Sequence, residues 1–381
     1  MKTRLPGASL ALLSCLLSTA TPAAQPAAAS ASVAPAASAH GVPVDIDSAR
    51  FRAHLISKAI FADGRLWLLM ESGHLETLSR TDHRRVDLDI APVVKDIWVR
   101  NGEPLALISA APQPSVSSWS IGRVTNDSWV ESTRIAVTED ERYIGGGVAP
   151  DAIVILTNRR LISVIDDQTT GSNSGVTHDA VVISADRRVA NPRSVSVRWD
   201  SERLSGGAKS VAITDKTFYV GNNAGEWGGW LRAVDRRSGR ISIVAKQWVE
   251  PITALVTQPN GCVAVAMGMV HFSRVGRVGE VCGTKAKTLY QKTIHIPQYN
   301  VDGSEAFFGV SVVGNDLWAV GTEGLYRIGR NGTAELTPLP KPQEIGDLTV
   351  SFESPDFALV ATSINQHWSV GGEVPIFTPV R

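Results

Sequence analysis

Eight consecutive residues, Asn222-Asn223-Ala224-Gly225-Glu226-Trp227-Gly228-Gly229, concentrate recognition chemistry in this 381-residue chain. An indole offers a flat stacking face, and a carboxylate and two amides offer hydrogen bonds, a set that suits a sugar ring or a peptide. The competing structural reading folds Trp227 back onto its own sheet, puts the asparagines at left-handed turn positions and leaves Glu226 solvated. Glu71 and Glu323 stand at matching places in related segments. With Asn222, Asn223, Glu226 and Trp227 they form the candidate binding set, and the carboxylates could make a rim facing the central channel of the fold.

Catalytic signatures are absent from the sequence. There is no G-x-S-x-G elbow, and the eight histidines include no H-E-x-x-H and no pair at ligand spacing. Asp302-Gly303-Ser304-Glu305 and residues 166–173 offer oxygen atoms for calcium, but neither has acids at the alternate positions of a calcium loop. No catalytic or metal residue is assigned, and no cofactor is expected apart from a possible calcium. An enzyme whose acids come from separate repeats would leave no local motif, so a glycan lyase or hydrolase with channel-lining carboxylates stays the alternative.

The elements that must position these residues follow from internal repetition. Residues 59–78 (AIFADGRLWLLMESGHLETL) and 310–328 (VSVVGNDLWAVGTEGLYRI) share one plan. An apolar strand meets an Asp or Asn turn, an aromatic-bearing strand follows, and a Gly turn leads into a third strand. Residues 211–234 repeat it with a longer loop, and 153–165 and 263–274 read as the same hairpin with shorter turns. Weaker echoes lie at 96–108 and 357–370. Period-2 alternation is common and helical periodicity is not. The echoes are centred near residues 67, 103, 158, 219, 266, 318 and 360, spaced about 50 apart on average, which is the length of a four-stranded propeller blade. The expected fold is all-β, a β-propeller of four-stranded antiparallel blades. Seven blades are counted; six or eight are compatible, because 169–207 could be a loop or a divergent blade. Residues 44–46 or 50–56 could close the ring against 374–378. Trp67, Trp98, Trp230 and Trp318 read as packing between blades, while Trp119 and Trp129 flank a connection, 110–118, that could project.

Ala233-Val234-Asp235-Arg236-Arg237-Ser238-Gly239-Arg240 resembles the A-x-D-x-x-T-G-K turn of PQQ-type propeller repeats. Ile165-Asp166-Asp167 with Thr170-Gly171 is a shorter match, and Phe218-Tyr219-Val220-Gly221-Asn222 resembles the Y-V-T-N strand of another secreted propeller class. The resemblance covers about 40 residues and implies the fold, with Asp and Ser bonding the turn and Gly at positive φ. In such repeats a Trp docks onto the next blade; here that place falls at Ile243 or a neighbour. PQQ binding would require several matching blades, and the other blades lack the motif.

The N-terminus reads as a signal peptide over 1–24. Lys2 and Arg4 precede an apolar run from Leu5 to Leu17, with small residues for cleavage after Ala20, Ala23 or Ala24. An Ala/Pro/Ser linker over 25–42 is too poor in large apolar groups to fold, and 43–381 form one propeller domain. Leu12-Leu13-Ser14-Cys15 resembles a bacterial lipobox, so Cys15 is a candidate for lipidation. The expected location is the periplasm or the medium, with an outer-membrane lipoprotein as the alternative. Lys2 and Arg4 are the only charges in 1–24, so the remainder keeps 37 acidic groups and two fewer than 37 basic ones. That balance favours neither nucleic acid nor an anionic membrane. Cys262 and Cys282 are a disulfide candidate. If they lie on a second and a fourth strand, a third separates them by about 9–10 Å, beyond a disulfide's reach.

The sequence therefore predicts an exported or envelope-tethered propeller in monomeric form, with a protein or a cell-wall glycan as its partner. An inhibitor or immunity-type role and an assembly scaffold are both compatible with it.

Overall fold

The computed structural model describes residues 56–79, 85–88, 93–109, 117–125, 128–165, 192–199, 208–270, 274–297, 300–338, 347–354, 357–363 and 376–378. Six four-stranded antiparallel sheets follow one another along the chain. Blade 1 holds β1 (Ile56–Ala62), β2 (Arg65–Met70), β3 (Leu75–Ser79) and β4 (Arg85–Leu88). Blade 2 holds β5 (Val94–Arg100), β6 (Glu103–Ser109), β7 (Ser117–Thr125) and β8 (Ser128–Val137). Blade 3 runs through β9 (Tyr143–Val148), β10 (Ala152–Thr157), β11 (Arg160–Ile165) and β12 (Pro192–Ser196). Blade 4, the unit that carries the Trp227 loop, is β13 (Ala208–Ile213), β14 (Thr217–Asn223), β15 (Gly229–Asp235) and β16 (Ile241–Val244). Blade 5 is β17 (Ile252–Thr257), β18 (Val263–Val270), β19 (Arg274–Cys282) and β20 (Lys285–Tyr290). A two-stranded hairpin, β21 (Thr293–Ile296) and β22 (Val301–Ser304), precedes blade 6, which is β23 (Phe307–Val313), β24 (Asp316–Gly321), β25 (Gly324–Ile328) and β26 (Ala334–Pro338). The seventh expected position holds a three-stranded sheet of β27 (Asp347–Ser354), β28 (Phe357–Ser363) and β29 (Ile376–Thr378).

The first strand of each sheet neighbours the first strand of the next, and β27 lies beside both β23 and β1. This succession closes a ring of innermost strands and makes the architecture a β-propeller. The segments proposed for N-terminal closure, apart from Ile56 at the start of β1, lie outside the described residues, as do the signal, the linker, Cys15, 166–191 and 110–116.

Turn chemistry sets the hairpins. Asp63-Gly64 and Asn101-Gly102 join the first two strands of blades 1 and 2 with both residues at positive φ, the geometry that matches strand twist. In blade 4 the Asp235 carboxylate accepts from the N–H of Arg237 (3.1 Å) and Ser238 (2.7 Å) and from the Ser238 hydroxyl (2.7 Å). These bonds hold its carboxyl below the usual range. The bonding expected of that turn is therefore present.

The core lies between blades. Trp67, Leu69, Ile97 and Ile108 join blades 1 and 2; Trp98, Trp119, Ile121 and Ile155 join blades 2 and 3. Val154, Leu156, Phe218 and Val220 join blades 3 and 4, and Tyr219, Leu231, Val265 and Met267 join blades 4 and 5. Ala264, Phe307, Ala319 and Tyr326 join blades 5 and 6. Trp119 is thus buried on β7 rather than projecting, and Trp129 packs against the blade 1–2 core. A docking tryptophan exists as well. It is Trp248, buried between blades 4 and 5, a few residues past the place expected from Ile243.

Cys262 and Cys282 form a disulfide. The expectation of an intervening strand is corrected here: Cys282 ends the third strand of its blade, directly beside the second. Val263 pairs with Val281, so the cysteines are the next facing pair, with Cα atoms 4.4 Å apart.

Candidate functional site

At one end of the ring, the turns between the second and third strands of each blade meet the junctions that lead into the innermost strands. The connection from β14 to β15 is here. Asn222 and Asn223 complete β14 rather than the loop. Asn222 is buried and paired in register with Lys209 and Trp230. Asn223 caps the loop, its side-chain oxygen accepting from the Gly225 N–H at 2.9 Å. Gly225–Trp227 then form a single 3-10 turn. Within it Ala224 N–H donates to Gly228 O (2.9 Å), and Gly228 N–H to Gly225 O (2.9 Å). The loop is thus closed on itself.

It is also fastened to the next blade. Gly229 N–H donates to the Val249 carbonyl at 2.8 Å. Gly228 has φ 83° and lies so close to that carbonyl that a Cβ would strike it. Behind Val249, Glu250 accepts the Val249 N–H at 3.1 Å and forms an ion pair with Arg277. The consequence is an aromatic held outward: Trp227 is 85% exposed and the adjacent Val249 67% exposed. The indole does not fold back onto its blade. Glu226 beside it is exposed and engaged in an interaction.

The other two carboxylates of the candidate set occupy the same end in other blades. Glu71 is exposed at the turn between β2 and β3, on the edge of a cavity of about 600 Å³. Glu323, between β24 and β25, forms an ion pair with Lys292 and accepts from the Tyr326 hydroxyl at 3.2 Å. Its carboxylate raises the Lys292 pKa. Glu71, Glu226 and Glu323 share a face, but they do not form a joint acid cluster among the described residues. Asp302 pairs with His295 (3.2 Å), whereas Glu305 turns to different partners, so the Asp302–Glu305 segment does not present a single calcium ligand set.

In a second group of acids, Glu141 and Glu250 were not singled out from the sequence, and Glu305 was read only as an oxygen ligand for calcium. Glu141, Glu250 and Glu305 each stand two residues ahead of an innermost strand, β9, β17 and β23, and each is buried. Glu141 accepts from Arg160 Nε (2.8 Å), Arg160 Nη2 (3.1 Å) and Thr157 Oγ1 (2.9 Å). Burial alone pushes the Glu141 carboxyl up, but these bonds outweigh it and leave the group below its ordinary value. Glu305 accepts from Glu323 N–H (2.8 Å) and Thr322 Oγ1 (2.8 Å). There burial dominates and the carboxyl is raised. These acids brace the turn or third strand of their own blade. Glu305 is wholly buried, so it is not placed to reach a substrate. The signal in the sequence was Glu141-Arg142-Tyr143, Glu250-Pro251-Ile252 and Glu305-Ala306-Phe307, an acid two before each strand.

Chemically, the face offers rigid apolar and aromatic contact points among carboxylates, of which Glu323 is ion-paired. That is an arrangement for recognition.

No protein-family model and no curated protein matches the chain. Solved structures do match its fold. One described as YCF48 bound to D1 peptide has a TM-score of 0.50 at 10% identity, covering 84% of this chain and 91% of that one. Kluyveromyces lactis Hsv2 matches at 0.46 and 9%, over 86% and 99%. The β-propeller domain of the Trilobed protease from Pyrococcus furiosus matches at 0.46 and 5%, over 86% and 95%. At these identities the likeness shows the fold alone.

Proposed function

We propose that this propeller is a protein-binding module whose contact surface is the end of the ring carrying Trp227. The observation that carries the reading is the outward, fastened indole beside an exposed valine. Burying a large aromatic on a partner yields more than most contacts, and a loop already fixed loses little entropy on binding. At the level of the fold, the YCF48 propeller was solved with a peptide bound, so a propeller of this overall shape accommodates one. Glu226 and Glu71 supply polar rim contacts in this reading.

The module acts outside the cytoplasm, in the periplasm or tethered to the envelope. The support is the leader-like N-terminus, the lipobox-like Cys15 and the Cys262–Cys282 bond, which suits an oxidising compartment. Inhibition of an envelope protein is one form such binding takes; glycan recognition would use the same indole.

Affinity capture from native envelope extract, with the wild-type chain beside Trp227→Ala, tests the reading. A protein retained by the first and lost by the second supports it. The same protein retained equally by both refutes the assignment to this loop.

A further inference from the structure

The cavity beside Glu71 has a charge pattern of its own. It lies on the same end of the ring as Trp227, at the seam of blades 1, 2 and 3. Its apolar wall is Leu69 and Met70 with Val93, which is 54% exposed at the junction into β5. Trp119 and Tyr143 pack edge to face at 6.0 Å behind it. Two acids next to the cavity are already paired with cations: Glu141 with Arg160, and Asp96 with Lys58, Asp96 also accepting from the Tyr143 hydroxyl. Three charges are left over. Lys95 lies with its ammonium 5.8 Å from the Trp119 ring centroid. Arg142 uses its backbone N–H on Asn158, and its guanidinium forms no ion pair among the described residues. The Glu71 carboxylate likewise forms none. The cavity therefore presents two cations against one anion around an aliphatic wall.

We infer that this cavity is a second recognition site, for a peptide segment that places a carboxylate next to an aliphatic side chain. The carboxylate meets Lys95 and Arg142, with Arg142 able to bind it through two parallel N–H donors. The aliphatic group covers the exposed Val93. A basic or purely apolar segment would leave the two cations with Glu71 alone to balance them, which disfavours it. This inference rests on the protein-binding reading but not on Trp227.

The test is selection of a displayed random peptide library on the mature chain, repeated on Lys95→Glu/Arg142→Glu and on Trp227→Ala. The expected result is enrichment of Asp or Glu beside Leu, Ile, Val or Met. A recovered peptide, synthesised and labelled, should bind at least tenfold more weakly to the charge-reversed chain and unchanged to Trp227→Ala. C-terminally amidated and free-acid versions distinguish a side-chain carboxylate from a terminal one. Lys95→Gln/Arg142→Gln serves if charge reversal impairs folding, judged by circular dichroism. A selection without acidic enrichment, or acidic peptides that bind both cation variants as well as wild type, overturns the inference and leaves the Trp227 reading standing.

Discussion

The Gly229 amide donates to the Val249 carbonyl across the boundary between blades 4 and 5, at 2.8 Å. That bond ties the Trp227 loop to a junction that Glu250 and Arg277 also hold. The exposed indole is therefore presented by two blades at once. A contact point prepared in this way is the basis of the functional reading.

Trp227→Ala should separate binding from folding. With 85% of Trp227 exposed, its removal should change unfolding free energy by no more than about 0.5 kcal/mol. Partner affinity should fall by about 2 kcal/mol or more, roughly thirtyfold. Urea unfolding and a binding titration on the same preparations check both halves.

Arg160→Met should be costly, because it leaves the Glu141 carboxylate buried without its cation. The expected loss is about 2–4 kcal/mol, below the range for a fully buried pair since Arg160 is partly exposed. Glu141 has a lowered folded pKa, so its stabilisation is present above the unfolded carboxylate range and is lost as pH falls through the folded value. The variant lacks that contribution, and its acid-unfolding midpoint should move to higher pH.

Glu305 has the opposite sign. Its folded pKa is raised, first by burial, so its contribution is complete below the unfolded value and is lost as pH rises through the folded one. Glu305→Gln keeps an acceptor for the Glu323 N–H and removes the titration. Measured by urea unfolding at about pH 5 and about pH 8, the variant should gain on wild type as pH rises. A constant difference would refute this role.

Replacing Cys262 and Cys282 by serine should cost about 3 kcal/mol, the value expected for a closed loop of this length. Thiol reductant should lower the wild-type melting temperature and leave the double variant unchanged.

Much of the ring was legible in local pattern. Asp63-Gly64, Asn101-Gly102 and the Asp235–Gly239 turn are local chemistry, and alternation around Trp67 and Trp318 marks second strands. What failed to show depends on neighbours. Residues 263–274 read as a complete hairpin, yet β18 alone runs from Val263 to Val270 and β19 begins only at Arg274; Gly268 sits within β18, where a Cβ would lie 2.5 Å from Phe307 N of blade 6. That misreading added a strand and set Cys282 too far from Cys262. The bracing acids were hidden for the same reason. Glu141 gains its meaning from Arg160, and Glu305 from the turn at Thr322, partners separated by a hairpin. Asn222 looked like loop because its strand partners, Lys209 and Trp230, lie on two other strands.

Site-specific photo-crosslinking tests the central claim most directly. A photoreactive residue would replace Trp227 in one chain and Lys216, at the turn on the opposite end of blade 4, in another. Irradiation in native envelope extract should yield a discrete crosslinked protein from position 227 and none from 216. The same adduct from 216 with none from 227 would contradict the account.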